Sequence, residues 1–170
     1  MKEVACGSVM GAQTCIYSRD LYYRYLLRRT WDDTLPTMQA IGINPPDADK
    51  VSLDPTLNRL TERAIAMKCG SLVLLNLFAI RSTQPRLITK ASNPVGPHNE
   101  YFFREHLDRR REILVMWGAY GTHQRRGLTV AHRLHKRGMK LKCLGIGIHW
   151  QPYHILYLPP DQPSFPYIFH

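Results

Sequence analysis

The chain has 170 residues, 44% of them hydrophobic, enough to bury one sizeable core and short for two, so it is read as one domain over residues 1–170. Its 23 Lys and Arg outnumber 13 Asp and Glu, for a net charge of +10 with eight neutral His, and such an excess attracts polyanions. Nothing approaches the roughly 20 consecutive apolar residues that span a bilayer, Gly7, Gly11 and Gln13 interrupt any signal-like run, and Cys6, Cys15, Cys69 and Cys143 have neither zinc spacing nor a close pair. Composition therefore argues against a membrane span, a secreted disulfide scaffold and a zinc module, and makes nucleic acid in the cytoplasm the first partner to expect.

Residues 1–31 are expected to hold a β-hairpin: an aromatic-rich pair of strands over 12–17 and 22–29, turning at Ser18, Arg19 and Asp20. A short apolar strand over 38–43 follows, then a loop with Pro45, Pro46 and Asp47. Asp54 and Pro55 open a helix, because Asp accepts from the unpaired first-turn amides and Pro is tolerated at the first helical position. Leu57, Leu60, Ala64 and Met67 form its apolar face, and Gly70 is placed to end it. Residues 72–77 are continuously apolar, as in a strand covered on both faces.

Beyond a Pro- and Gly-containing loop, a polar helix is expected over 99–110, a buried strand over 113–117, a basic helix over 125–136 ending at Gly138, and a last strand over 141–148. The segment from Pro159 to Pro166 is expected to lie on the surface, since Pro cannot donate to a ladder throughout. Strand-helix alternation of this kind predicts an α/β fold: a three-layer αβα domain with a mostly parallel central sheet, with ligands at the carboxyl ends of its strands.

The polar clusters follow apolar strands: Gly42-Ile43-Asn44-Pro45-Pro46, Asn76 within its leucines, Trp117-Gly118-Ala119-Tyr120-Gly121, and Gln151-Pro152-Tyr153-His154. Together with Tyr23-Arg24-Tyr25, Arg29, Trp31, Asp54-Pro55-Thr56, Asn76-Leu77-Phe78-Ala79 and Pro94-Val95-Gly96, they identify the chain as resembling the DUF1643 family, a domain of unknown function. More distantly, the same motifs resemble those of the uracil-DNA and mismatch-specific DNA glycosylases. That resemblance implies a uracil-DNA glycosylase-like fold, with Asn44 holding the attacking water, Asn76 reading the base edge and His154 set against the departing base. Ile155 stands where that superfamily usually has Pro, its DNA-penetrating leucine has no clear counterpart, and Pro46-Asp47-Ala48 lacks the aromatic residue that excludes bulk at pyrimidine C5. A modified pyrimidine, larger than uracil, is the expected base.

Breaking an N-glycosidic bond develops positive charge on the sugar and negative charge on the base, and a dry polar site must stabilise both. Neutral His154 can donate one hydrogen bond, and the Asn76 amide offers a donor and an acceptor in one plane. Asn44 can orient a water but cannot take its proton, which leaves Asp47 as an alternative base. Phe78 and Ile43 are the remaining base-contact candidates. For DNA, Arg125, Arg126, Arg133 and Lys136 line a basic helix, with Arg24, Gly118, Tyr120 and Tyr153 as further contacts. The Tyr and Arg stripe over 22–29 equally suits cross-strand packing, and His132 and His135 have helical neighbour spacing without an apparent third metal ligand.

The expectation is a monomeric, monofunctional DNA glycosylase that flips a base out of DNA and leaves an abasic site, in repair or in defence against phage DNA, with no cofactor or metal and no membrane. A nucleic-acid-binding module of the same fold without chemistry, and a hydrolase of free nucleosides or nucleotides, are the alternatives.

Overall fold

In the computed structural model, which describes residues 1–8, 11–46 and 54–169, eight strands form a single mixed sheet. In chain order these are β1 (Lys2–Ser8), β2 (Gly11–Tyr17), β3 (Arg24–Thr30), β4 (Thr37–Gly42), β5 (Ser71–Asn76), β6 (Glu112–Val115), β7 (Lys140–Cys143) and β8 (Phe165–Pro166). Across the sheet the order is β1-β2-β3-β5-β4-β6-β7-β8. The three helices are α1 (Pro55–Ala66), α2 (Asn99–His106) and α3 (Arg126–Lys136).

The expected mostly parallel sheet is corrected to a mixed one. Only β5-β4, β4-β6 and β6-β7 pair in parallel, against four antiparallel pairings at the flanks. Parallel neighbours need long crossovers, and the chain supplies those only between β4 and β7. At the N-terminal flank, short turns fold β1, β2 and β3 back beside one another, while β8 reaches β7 only after a long return. The N-terminal hairpin gains a third strand, β1, and β3 docks antiparallel on β5 through Leu27 opposite Leu74. The Pro-rich segment from Pro159 to Pro166 lies on the surface, as expected, with β8 pairing on β7, while Tyr167 beyond it is buried with its N–H on the Leu141 carbonyl.

Side chains along the parallel strands alternate between two cores, as strand periodicity requires. Met38, Ala40, Leu72, Leu74, Leu114 and Met116 pack with Leu57, Leu60 and Ala64 of α1. Ile41, Val73, Leu75, Ile113 and Val115 pack with Phe102 and Phe103 of α2 and with Val130, Ala131 and Leu134 of α3. Asp54 caps α1 through hydrogen bonds to its side chain from the Thr56 and Leu57 amides (2.9 and 3.4 Å). Met67 lies past the end of the helix and is exposed.

Where β5 stops pairing, its last peptide groups find specific partners. Leu77 and Phe78 donate to the Gly42 and Ile43 carbonyls. Asn99 Nδ2 donates to the Asn76 and Leu77 carbonyls, both at 3.0 Å, and Arg126 Nε donates to the Leu77 carbonyl at 3.0 Å. Arg126 is 6% exposed and ion-paired with Glu100. Burial opposes ionisation of Glu100, but Arg126 and Arg133 outweigh it and hold the carboxyl below its ordinary range.

The long return from β7 is fixed around Trp117. Its indole N–H donates to Gln151 Oε1 at 2.9 Å, and Gly118 N–H donates to the Pro152 carbonyl at 2.9 Å. A Cβ added at Gly127 would lie 2.7 Å from Trp117 Nε1 and 2.8 Å from Gln151 Oε1. Gly127→Ala is therefore expected to destabilise the fold by about 1–3 kcal/mol through overpacking, measured by urea unfolding; an unchanged midpoint would show that the Trp117 cradle gives way freely.

Candidate functional site

The carboxyl ends of β5 and β4, the start of α1 and the segment after β7 enclose a half-open cleft of about 160 Å³. Across the sheet, β3 contributes Arg24, β5 contributes Leu74 and Asn76, and the β4 end contributes Gly42, Ile43 and Asn44. Met116 follows β6, and His154 closes the far side. Asp54 and Thr56 cover the space from α1, with Ser82 and Thr83 from the loop after β5. A cavity of about 150 Å³ accepts a benzene-sized ring, so the space is wide enough for a six-membered ring.

Asn44, Asn76 and His154, far apart in sequence, thus face the same cleft. Asn44 Nδ2 donates to the carbonyls of Pro45 (3.0 Å) and Ser82 (2.7 Å). With both amide hydrogens committed, Oδ1 is the group left to accept from a ligand or water. The buried Asn76 side chain makes no hydrogen bond among the described residues, and its Oδ1 lies so close over Gly42 that a Cβ there would approach to 2.8 Å. Gly42 keeps this amide accessible: any larger residue would push it out of place.

His154 is half-buried and caps the short 3-10 turn Ile155–Tyr157 by accepting from the Leu156 N–H at Nδ1 (3.4 Å). In the neutral ring that leaves the hydrogen on Nε2. Burial lowers the His154 pKa below the ordinary histidine value, against a smaller opposing pull from Asp54, so the ring is neutral at pH 7. Asp54 is the cleft carboxylate that sequence reasoning assigned only to helix capping. Its place opposite His154 follows from packing α1 over the strand ends, which its local sequence does not announce.

Other sequence candidates fall elsewhere. Phe78 is fully buried in the core, its ring centroid 5.7 Å from that of His123, and does not line the cleft. The position two residues past Asn76 turns inward, so the stacking role expected for it is corrected. Asp47 lies outside the described residues. Arg24, expected on an outward basic stripe, is 2% exposed and lines the cleft instead. Arg29 of the same stripe is buried and bonded to Gln13 and Thr61, while Tyr23, Tyr25 and Phe102 stack in sequence. Tyr23, Tyr25 and Arg29 of that stripe therefore serve packing. Arg126 is corrected from a DNA contact to the buried clamp of the β5 end.

Gly118 adopts φ +66° beside His154 but does not line the cleft. Tyr120, Tyr153 and Arg125 are exposed. Arg133 is exposed but bridged to Glu100 at 2.8 Å. Lys136 is exposed within a cationic group of Arg104, Arg109, Arg110 and Arg137 between α2 and α3. Arg109 and Arg110 precede β6, and Lys136 and Arg137 precede β7, so this group sits at the amino ends of the parallel strands, opposite the cleft. His132 and His135 pack their rings against Phe169. Among the described residues, no helix is long and apolar enough to cross a membrane.

No curated protein and no solved structure matches the chain. The model of one family, described as "Protein of unknown function (DUF1643)", matches residues 24–156 and so takes in Arg24, Asn44, Asp54, Asn76 and His154. The match covers well over half of the 170 residues, and the chain belongs to the DUF1643 family.

Proposed function

We propose that this protein hydrolyses the N-glycosidic bond of a base extruded from DNA, holding a pyrimidine-sized ring in the cleft at the carboxyl ends of β4 and β5. The observation that carries this reading is the meeting of Asn44, Asn76 and His154 in a space of about 160 Å³. The motif resemblance to the uracil-DNA glycosylase superfamily supports it through the same three residues, and the net charge of +10 favours a polyanionic substrate.

In this reading the Asn76 amide hydrogen-bonds the base edge and neutral His154 donates from Nε2 to the oxygen that gains charge as the base departs. Asn44 Oδ1 orients the attacking water. Asp54 supplies the carboxylate that takes the water's proton, which an amide cannot do. Its Oδ1 accepts the two α1 amides, leaving Oδ2 for this work. The absence of an aromatic gate after Asn44 favours a modified pyrimidine over uracil. The base released in repair or in defence against phage DNA would then differ from uracil at C5.

A second reading, a binding module of this fold without chemistry, is favoured by the Asn44 amide, whose two hydrogen bonds tie the β4 end to the Ser82 loop and would serve a purely structural purpose.

Incubation with DNAs carrying different natural and modified bases, followed by hot alkali, is expected to give new strand ends at one base type. His154→Ala should slow base release by about 10²–10³-fold, as loss of an oxyanion donor does; full activity in this variant removes the assignment, and no ends with any base favours the binding module. Because burial lowers the His154 pKa, the neutral form persists below the ordinary value of about 6.5. Turnover should therefore hold as pH falls through that value and decline only on further acidification. An onset of loss at or above pH 6.5 would contradict a depressed His154.

Substitutions at Asp54 separate capping from chemistry. Asn caps about as well as Asp, while Ala costs about 1 kcal/mol. Asp54→Asn should thus keep the thermal midpoint and lose about 10²–10⁴-fold in rate, whereas Asp54→Ala should lose both stability and rate. A fully active Asp54→Asn enzyme would reduce Asp54 to a helix cap.

A further inference from the structure

Three arginines are almost fully buried, and two of them have obvious partners. Arg29 holds Gln13 Oε1 through Nε and Nη2 at 2.9 and 2.8 Å and Thr61 Oγ1 through Nη1 at 3.1 Å, joining β3, β2 and α1. Arg126 holds the Leu77 carbonyl and Glu100. Arg24 is 2% exposed, more deeply buried than either, yet its side chain has no hydrogen-bond acceptor and no ion pair among the described residues, and its Nε is sealed from solvent without a partner. A guanidinium has only donors and stays charged at any accessible pH. Burying one without an acceptor is strongly unfavourable, so its place in the cleft wall needs a reason beyond the contacts of the described residues.

The neighbours of Arg24 do not neutralise it. Burial, with Cys15, pushes the Tyr17 phenol up to about 12 although Arg24 pulls the other way, so Tyr17 remains uncharged. Asp54 lines the same cleft but forms no ion pair with Arg24, and its Oδ1 is taken by the Thr56 and Leu57 amides. Around the open space stand the side chains of Asn76, Thr56, Ser82 and Thr83. His154 faces them from the other end, across β5, β4 and β6. A ligand spanning the cleft would have its reacting bond towards His154 and an acceptor-rich group towards Arg24.

We propose that Arg24 is the internal receptor for a phosphate group of the ligand, held by the guanidinium fork at the β3 side of the cleft. Phosphate offers the planar pair of acceptor oxygens that the fork matches. This inference rests on the cleft being the ligand site, as in the function proposed above, but not on base release. It also differs from a surface clamp on DNA: at 2% exposure Arg24 meets only a phosphate that enters with the ligand. Such a phosphate is either the diester flanking an extruded nucleotide or the monoester of a free nucleotide.

The test uses the full chain, as wild type, Arg24→Met and Arg24→Lys. Thermal midpoints are measured in inorganic phosphate against sodium chloride of equal ionic strength. Wild type should gain several degrees in phosphate by preferential binding to the folded state. Arg24→Met should gain none, and its midpoint in chloride should equal or exceed that of wild type, because a buried unpaired charge has been removed. Arg24→Lys, which keeps the charge and loses the fork, should gain less than wild type; it serves as the comparison if Arg24→Met does not fold. Thymidine 5′-monophosphate and the dinucleotide TpT then separate the sources: stabilisation by the monoester alone identifies a free nucleotide, and stabilisation by both identifies a DNA diester, with Arg24 required in either case. Equal phosphate shifts in wild type and both variants, or no shift in any of them, overturn the proposal. Failure of the base-excision reading would appear separately, as an absence of alkali-labile sites with phosphate binding intact.

Discussion

The architecture of the cleft depends on how β5 ends. A buried strand that leaves its sheet must satisfy each peptide group it exposes, because an unpaired buried carbonyl or N–H costs as much as a lost hydrogen bond. Here the Leu77 and Phe78 amides go to the β4 end, while the Asn76 and Leu77 carbonyls go to Asn99 and Arg126, brought in by α2 and α3. With its backbone tied from both sides, Asn76 can hold a side-chain amide that makes no hydrogen bond among the described residues. The same clamp fixes the β4 end, where Gly42 gives that amide room and Asn44 reaches across to the Ser82 loop.

On the other side of the cleft, aromatic packing does the positioning. Trp117 fills the core beneath the β7 return and donates to Gln151, and the adjacent Gly118 amide holds Pro152, so the chain arrives at His154 with little freedom. Gly121 and Gly127 are small because a Cβ at either would strike the Trp117 ring or the Gln151 amide. The Trp-Gly motif therefore acts at one remove, carrying the histidine rather than touching a ligand.

Charge is distributed in two unlike ways. The exposed cations between α2 and α3 stand in water, where they supply a long-range field with little cost to the fold. The buried guanidiniums of Arg29 and Arg126 are structural crosslinks, the first holding Gln13 and Thr61 and the second the Leu77 carbonyl and Glu100. The exposed group lies at the amino ends of the parallel strands and the cleft at their carboxyl ends, so this cationic surface is not the rim of the cleft.

The sequence alone determined features whose cause is local. Asp54-Pro55 declares a helix start through capping and the fixed φ of proline, the apolar run to Asn76 declares a doubly covered strand, and a lone amide in that run declares a polar group needing a purpose. Asn44 and Asn76 were legible as strand-end residues, since each follows an apolar segment; the strand expected over 141–148 stops at Cys143, and His154 reaches the cleft from the long return beyond it. Only the tertiary structure decided strand direction, because pairing partners are set by which edges meet and periodicity is the same for parallel and antiparallel strands. It also decided burial of charge: Arg24, Arg28 and Arg29 are alike in sequence, yet the first faces the cleft, the second lies in solvent and the third binds Gln13 and Thr61. Docking of β3 antiparallel on β5 makes that distinction, and with it turns a stretch resembling a basic surface into one wall of the cleft.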